Sequence, residues 1–445
     1  MKTPIWDFLQ SYSSGGYVRA HMPGHKGRGE LGFEKYDITE IKGADSLFSA
    51  YGIILESERY AGEIFGADTF YSTEGSSLAI RAMLYLAVKH AHESGKKPKI
   101  LACRNAHKVF VSAAAMLDFE IEWLMPDSPS YLSCNITPYD VRRALSSMDK
   151  LPTALYVTSP DYLGFCLDVR EIAEACHDFG VLLLVDNAHG AYLTALGQHP
   201  IELGADAAAD SAHKTLGALT GGAYLHISKD APSLFKEEAR SALSLFGSTS
   251  PSYLILASLD MTNCYLESIK DRLARILPKI ETLKERLLSA GYWVADSEPL
   301  KITLPALKYG YTGYELSDLL INDGIYCEFA DRDYLVLMLS ASTTDKELNT
   351  IEKALLSIPQ RIEISDTPPS LSHPKRKMSV REAVLSPSEI LPAKECEGRI
   401  LSAVTVGCPP AVPILVSGEV VDKPSLDAFE YYGIKTLSVV KEDKT

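Results

Sequence analysis

Val181–Tyr192 reads VLLLVDNAHGAY. Its apolar run, Val181–Val185, offers no polar side to water, so it reads as a strand buried on both faces, as in a parallel sheet. That confines the chain to an α/β architecture with helices covering the sheet. Ligands in such sheets bind at the carboxyl ends of the strands. Asp186, which ends the run, therefore stands at the floor of a candidate site. Capping a turn is the plainer role for the same aspartate.

A second stretch, Ala208–His226, reads AADSAHKTLGALTGGAYLH. Lys214 sits there among Ser211, Ala212, His213, Thr215 and Gly217, 28 residues after Asp186. A lysine head is strongly hydrated and usually reaches solvent. Held among small residues, it can lose hydration, drop its pKa and serve as an amine nucleophile. A lysine on a surface turn is the alternative. A strand-end carboxylate followed by such a lysine is what a pyridoxal 5'-phosphate (PLP) enzyme needs. The amine takes the cofactor aldehyde, and the carboxylate keeps the pyridine nitrogen protonated.

Six motifs occur in order: HMPGHKG (His21–Gly27), STEGSS (Ser72–Ser77), RNAHK (Arg104–Lys108), TSPDYLG (Thr158–Gly164), VDNAHGA (Val185–Ala191) and SAHKTLGALT (Ser211–Thr220). On these the chain resembles the bacterial Orn/Lys/Arg decarboxylase family in its short form. The resemblance implies PLP fold type I, of the aspartate-aminotransferase type. That is a large α/β domain with a mostly parallel sheet flanked by helices, plus small α+β C-terminal domains. It also implies PLP as cofactor, a basic amino acid as substrate and a homodimer or higher homo-oligomer.

Composition narrows the class. The 445 residues suffice for two or three domains. No apolar stretch approaches the ~20 residues of a membrane span, and the amino terminus, MKTPIWDFLQ, has no signal-peptide core. Eight cysteines are scattered without a CxxC pair, which argues against a zinc site or a disulfide framework and fits a reducing cytoplasm. A net charge of −14 suits a cationic substrate and makes nucleic acid a poor partner.

Strands alternate with helices from residue 68 to 228, as βαβ units do. The expected partition is an N-terminal segment (1–60), a PLP-binding large domain (61–290), a small α+β domain (291–362), a Pro/Ser-rich linker (363–378) and a terminal module (379–445). His21–Gly27 is irregular because of Pro23 and Gly24. It is a loop laid on the site or a basic surface loop. Gly75, Ser76 and Ser77 open a helix, where free N–H groups and the dipole favour a phosphate; an ordinary serine cap is the other reading. Phe246–Leu254 precedes a helix expected near Pro251 and then one long, interrupted helical region to about Ala290. The resemblance gives Ser248 and Thr249 to the phosphate site of a partner subunit, while as plain sequence they read equally as N-caps.

The resemblance assigns Lys214, Asp186, His107 and His213 to catalysis. His107 would stack on the pyridine ring, although a histidine after a strand is otherwise a turn or cap residue. Lys214 or His213 would return the proton to Cα, and His189 could support Asp186. Gly75, Ser76, Ser77, His107, Ser159, Asp186, Ala188, His189, Ser211, His213, Lys214, Ser248 and Thr249 would hold the cofactor; no metal is implied. Two departures stand out. Phe48-Ser49 occupies the place of a common histidine pair, and in CPPAVPILVSGE (Cys408–Glu419) Ala411 and Ser417 replace a Gly and a Pro. The acid that reads the substrate head group is open between Asp45, Asp161 and Glu328. Transamination or elimination on the same scaffold, and a weakly active PLP-binding regulator, are the competing functions. An aminotransferase would fix the substrate carboxylate with an arginine, for which Arg332, Arg361 and Arg399 are the candidates.

Overall fold

The computed structural model describes residues 2–126, 134–369, 374–407 and 413–442. Seven strands form the main sheet: β1 (Asp68–Ser72), β2 (Lys99–Cys103), β3 (Glu120–Leu124), β4 (Ala154–Thr158), β5 (Leu182–Asp186), β6 (Ala207–Asp210) and β7 (Ala223–Ile227). Their order is β1-β7-β6-β5-β4-β2-β3. β5 runs parallel to β4 and β6, whereas β7 is antiparallel to both β6 and β1. Tyr156, Leu183, Leu184 and Val185 are fully buried, as the uniform apolar runs require.

The chain forms two compact units. The first comprises Met1–Leu101, Val141–Ser159 and Asp168–Lys270; the second comprises Ala102–Asp140, Pro160–Leu167 and Asp271–Thr445. These units cut across the partition expected from sequence, because packing joins segments that composition separates. The chain's helices include α1 (Pro4–Ser14), α2 (Ile53–Phe65), α3 (Gly75–Glu93), α4 (Lys108–Leu117), α5 (Pro138–Ser146), α6 (Val169–His177), the single turn α7 (Ala212–Thr215), α8 (Ser233–Phe246) and α9 (Tyr253–Ser289). α1 is anchored by Asp260, whose Oδ2 accepts the Ile5 and Trp6 amides at 2.9 Å. α5 begins where Thr137, Pro138 and Asp140 foretell it: Asp140 Oδ2 accepts the Thr137 amide at 2.8 Å, and the Thr137 hydroxyl accepts the Asp140 amide at 3.2 Å. The interrupted helix expected up to Ala290 is instead continuous for 37 residues, with Pro278 inside it. It starts at Tyr253 rather than near Pro251. The Ser252 hydroxyl accepts the Ile255 amide at 3.4 Å, so Ser248 and Thr249 are not its caps.

In the second unit β8 (Lys301–Pro305), β9 (Phe329–Ala330) and β10 (Tyr334–Met338) make a small antiparallel sheet in the order β8-β10-β9. Helices α10 (Gly313–Asn322), α11 (Asp345–Ser357) and α12 (Val380–Leu385) each start with a reciprocal capping box: Thr312/Glu315, Thr344/Glu347 and Ser379/Glu382. Beyond them β11 (Ser388–Pro392), β12 (Thr405–Gly407), β13 (Pro413–Val416), α13 (Lys423–Tyr431) and β14 (Thr436–Val440) close on a core of Leu401, Ile414, Leu415, Phe429 and Val439. Cys408 and Ala411 of the C-terminal motif lie outside the described residues. No disulfide joins the described cysteines. Among the described residues no helix is long and apolar enough to cross a membrane.

Candidate active site

The first unit carries most of the residues singled out in the sequence. Asp186 is the last residue of β5 and only 2% exposed. Its Oδ2 accepts the Tyr156 hydroxyl at 3.0 Å and its Oδ1 accepts the Ala188 amide at 3.1 Å. The plainer reading of Asp186, a turn cap, is thus also realised through Ala188. Tyr156 is the residue sequence reasoning missed. It lies inside the apolar strand β4, aligned with Leu184 two residues before Asp186, and only strand register brings it there. Burial and then the Asp186 charge push its phenol well above the usual range, so it is a permanent donor to that carboxylate.

Lys214 belongs to α7, which follows Ser211 at the end of β6. Its Nζ lies 2.9 Å from His189 Nε2 and is half-buried. His189, offered by the sequence as a support for Asp186, therefore reaches the lysine amine. His213 Nδ1 lies 3.1 Å from the Gly222 carbonyl, and the His213 amide donates to the same oxygen at 3.2 Å. An Nδ1–H donated to that carbonyl leaves Nε2 as the basic nitrogen. Ser159 follows β4, and its amide donates to the Asp186 carbonyl at 3.0 Å.

α3 starts at Gly75, directly before Ser76 and Ser77. Gly75 has φ +72, which favours glycine, and its amide donates to the Gly221 carbonyl at 2.8 Å. Glu74, the N-cap, makes no side-chain cap hydrogen bond. Ser76 and Ser77 lie in the first turn, and the Ser211 hydroxyl donates to the Ser76 hydroxyl at 2.8 Å. The Ser248 amide donates to Glu74 Oε1 at 2.6 Å, which brings the Ser248–Thr249 loop to this helix start within the same chain. Phe48 explains the glycine before that loop: a Cβ on Gly247 would come within 2.7 Å of the Phe48 ring.

His107 lies in the second unit. It is exposed, and its Nδ1 accepts the Val109 amide at 3.3 Å as the N-cap of α4. The cap reading of this residue is realised. The acidic candidates separate clearly. Asp45 accepts the amides of Ser46, Tyr51, Gly52 and Ile54, so both its oxygens serve the turn. Glu328 is exposed and accepts the Tyr162 hydroxyl at 3.0 Å. Asp161 is buried, with its Oδ1 accepting the Phe165 amide at 3.0 Å. Burial pushes its carboxyl up to about 6, against partial relief from the Phe165 amide and Lys301.

Asp161 has a testable consequence. Its folded pKa exceeds the unfolded value, so between roughly pH 4 and 6 the native state holds more protons than the unfolded state. Stability contributed through this group falls as pH rises across that window, by about 3 kcal/mol. Asp161→Asn keeps an acceptor oxygen and cannot titrate. The variant is expected to flatten the pH dependence of the urea midpoint between pH 4 and 7. An unchanged slope would show that Asp161 ionises normally in the fold.

Arg332, Arg361 and Arg399 all have carboxylate partners within their own unit. Arg332 pairs with Asp366, Arg361 with Glu315 at 3.5 Å, and Arg399 with Glu389 at 2.7 Å. None stands as a ready clamp for a substrate carboxylate.

These residues fit PLP. There is an amine for its aldehyde in Lys214, a buried and doubly hydrogen-bonded carboxylate for its ring nitrogen in Asp186, and a helix start with hydroxyls for its phosphate. Residues 3–307 match the family model described as Orn/Lys/Arg decarboxylase, major domain. An arginine decarboxylase from Bacillus subtilis is 30% identical over 96% of this chain and 92% of its own length. One from Halalkalibacterium halodurans is also 30% identical, with the same coverage of each chain. Among solved structures, a lysine decarboxylase from Francisella novicida superposes with a TM-score of 0.80, at 18% identity, over 99% of this chain and 81% of that one. The chain belongs to the Orn/Lys/Arg decarboxylase family.

Proposed function

We propose that the protein is a PLP-dependent decarboxylase that converts a basic amino acid to its amine and CO2. The observation that carries the reading is the Lys214 amine set against His189, in a unit that also holds a buried Asp186 carboxylate and a helix start with serine hydroxyls. Arginine is the first substrate to test, because two near-full-length relatives are named arginine decarboxylases. Lysine and ornithine follow.

Bound PLP supplies an electron-poor ring that takes up the electron pair left on Cα when CO2 departs. The remaining work falls to the protein. Lys214 Nζ holds the cofactor aldehyde. The Asp186 carboxylate holds a proton on the ring nitrogen, and the Tyr156 hydroxyl and Ala188 amide hold that carboxylate in place. Ser76, Ser77 and Ser211 hydroxyls bind the phosphate together with the amides that open α3, and Ser248 and Thr249 close it. Ser159, Ala188 and His189 line the ring. A ring contact by His107 rests only on its position in the RNAHK motif. The proton that replaces the carboxylate at Cα comes from Lys214 Nζ or His213. Decarboxylation gains nothing from a strong ground-state clamp on the leaving carboxylate, which agrees with the three arginines having other partners.

We further read the enzyme as a cytoplasmic homodimer, or a multiple of it, that feeds polyamine synthesis. Support for the dimer comes from Tyr17, Val18, Met22 and Leu31, all at least 65% exposed on the first unit. Apolar groups so placed favour a covering surface.

The deciding experiment is CO2 release with amine identification from PLP-loaded protein, offered arginine, lysine and ornithine separately. One preferred substrate is expected. No CO2 from any of them, with keto acid formed instead, would replace this reading by transamination. Neither product, with PLP bound, would revive the regulator. The mass of the same preparation in solution tests the dimer: a single-chain mass would overturn it.

A further inference from the structure

His199, Asp210 and His226 meet in the interior of the first unit. His199 Nε2 lies 3.0 Å from Asp210 Oδ2, and His226 Nε2 lies 3.4 Å from the same oxygen. One ligand atom from each residue falls within 4.8 Å of the others. All three residues are at most 1% exposed.

Strand register explains the meeting. Asp210 pairs with Tyr224 and Ala208 pairs with His226, so Asp210, Tyr224 and His226 project from one face of the sheet. Asp186 pairs with Ala209, one residue out of step, and projects from the other face. The cluster is therefore separate from the carboxylate proposed to serve PLP.

Hydrogen bonding accounts for only part of this polarity. Asn187 Nδ2 donates to Asp210 Oδ1 at 2.7 Å, and His199 Nε2 is within hydrogen-bond distance of Oδ2. His226 Nε2 makes no well-angled hydrogen bond among the described residues, although it stands 3.4 Å from the Asp210 carboxylate; the buried Tyr224 hydroxyl on the same face has no hydrogen-bond partner there. Leaving a buried hydroxyl unmatched costs about 1–3 kcal/mol.

Two imidazole nitrogens and one carboxylate oxygen are the donor set of zinc and its first-row neighbours. Ligand atoms about 2.0–2.1 Å from a tetrahedral ion stand roughly 3.3 Å apart. The two separations from Asp210 Oδ2, 3.0 and 3.4 Å, are close to that edge, and the third lies within 4.8 Å. A ligating histidine commonly donates its other ring N–H to a fixed acceptor. His226 Nδ1 has one, Thr69 Oγ1 at 2.9 Å. His199 Nδ1 faces the Ile201 amide at a long 3.3 Å, a contact that opens when Nε2 takes the ion. His199 is accordingly the weaker ligand of the two.

We propose that His199, Asp210 and His226 bind one divalent transition-metal ion of the zinc class on the sheet face away from Asp186, with three protein ligands and a water in the fourth position. The ion takes the His226 nitrogen as a ligand and pins the ends of β6 and β7 to the His199 segment.

The test uses the full-length, PLP-loaded protein without an affinity tag. The probe is Co2+, added during refolding of chelator-treated chain, with zinc content measured in parallel on protein purified without chelator. Wild type is expected to hold about one metal per chain, with the visible absorption of tetrahedral Co2+ and a higher thermal midpoint than the chelated form. His226→Phe keeps a buried aromatic ring, and its folding is checked by circular dichroism and PLP retention. It is expected to lose the ion and the absorption. Wild type that takes up no stoichiometric Zn2+ or Co2+ would overturn the proposal. So would equal uptake by folded His226→Phe, which would place the ion elsewhere. Should His226→Phe fail to fold, the metal content and Co2+ spectrum of wild type decide alone.

Discussion

Lys214→Ala is expected to abolish CO2 release, with a loss of roughly 10²–10⁴-fold or more. The substitution removes two things at once: the amine that retains the cofactor and a nearby proton donor for Cα. His189, 2.9 Å from Nζ, cannot replace the amine. Asp186, Ser76 and Ser211 do not depend on Lys214 for the hydrogen bonds described above, so PLP is expected to bind still, but without covalent attachment. Borohydride reduction followed by peptide mass spectrometry is expected to find PLP on Lys214 in the wild type and on no residue in the variant. A small free amine is expected to restore some turnover, because it supplies the missing nitrogen but not its position. Full turnover by Lys214→Ala would remove the lysine from the mechanism, and with it the reading of this site.

Much of this site was legible in the sequence for a physical reason. A strand buried on both faces must be apolar throughout, so β5 can be read from its run of apolar residues, which ends in Asp186. The helix starting at Gly75 was visible for a similar reason, since glycine and serine suit a start left open for an anion. What stayed hidden depends on register and on distance along the chain. Tyr156 lies 30 residues before Asp186 and looks like any core aromatic until β4 and β5 are aligned. The meeting of His199, Asp210 and His226 requires knowing which residues share a face of β6 and β7. The stretch that the sequence pattern presents as interrupted folds as one continuous α9, with Pro278 inside it. His107 shows the opposite limit. Its capping role is local and can be read directly, whereas a role on the cofactor ring rests on motif position.

Arg104→Met is expected to destabilise the second unit by about 3–5 kcal/mol. Arg104 and Glu419 stand in two of the family-like motifs, RNAHK and CPPAVPILVSGE, 315 residues apart. Their side chains meet as a bidentate pair, with Nη1–Oε1 and Nη2–Oε2 both at 2.7 Å and each side chain 3% exposed. Glu419 Oε2 also accepts the Val416 amide at 2.9 Å, and the guanidinium lies 4.9 Å from the centre of the Trp123 ring. Two of the family-like motifs thus contain one structural clasp. Removing only the arginine leaves a carboxylate buried without its counter-charge, and that isolated charge, more than the lost attraction, sets the cost. The double change Arg104→Met with Glu419→Met removes both charges and keeps apolar bulk, so it is expected to recover most of the loss. Urea midpoints followed by a probe in the second unit separate the cases. A single variant as stable as wild type, or a double variant no better than the single, would show that the pair does not hold the terminal module to RNAHK. Lys214 attachment of PLP, measured in the same variants, is expected to survive in the double variant, because Arg104 and Glu419 are partners of each other within the second unit.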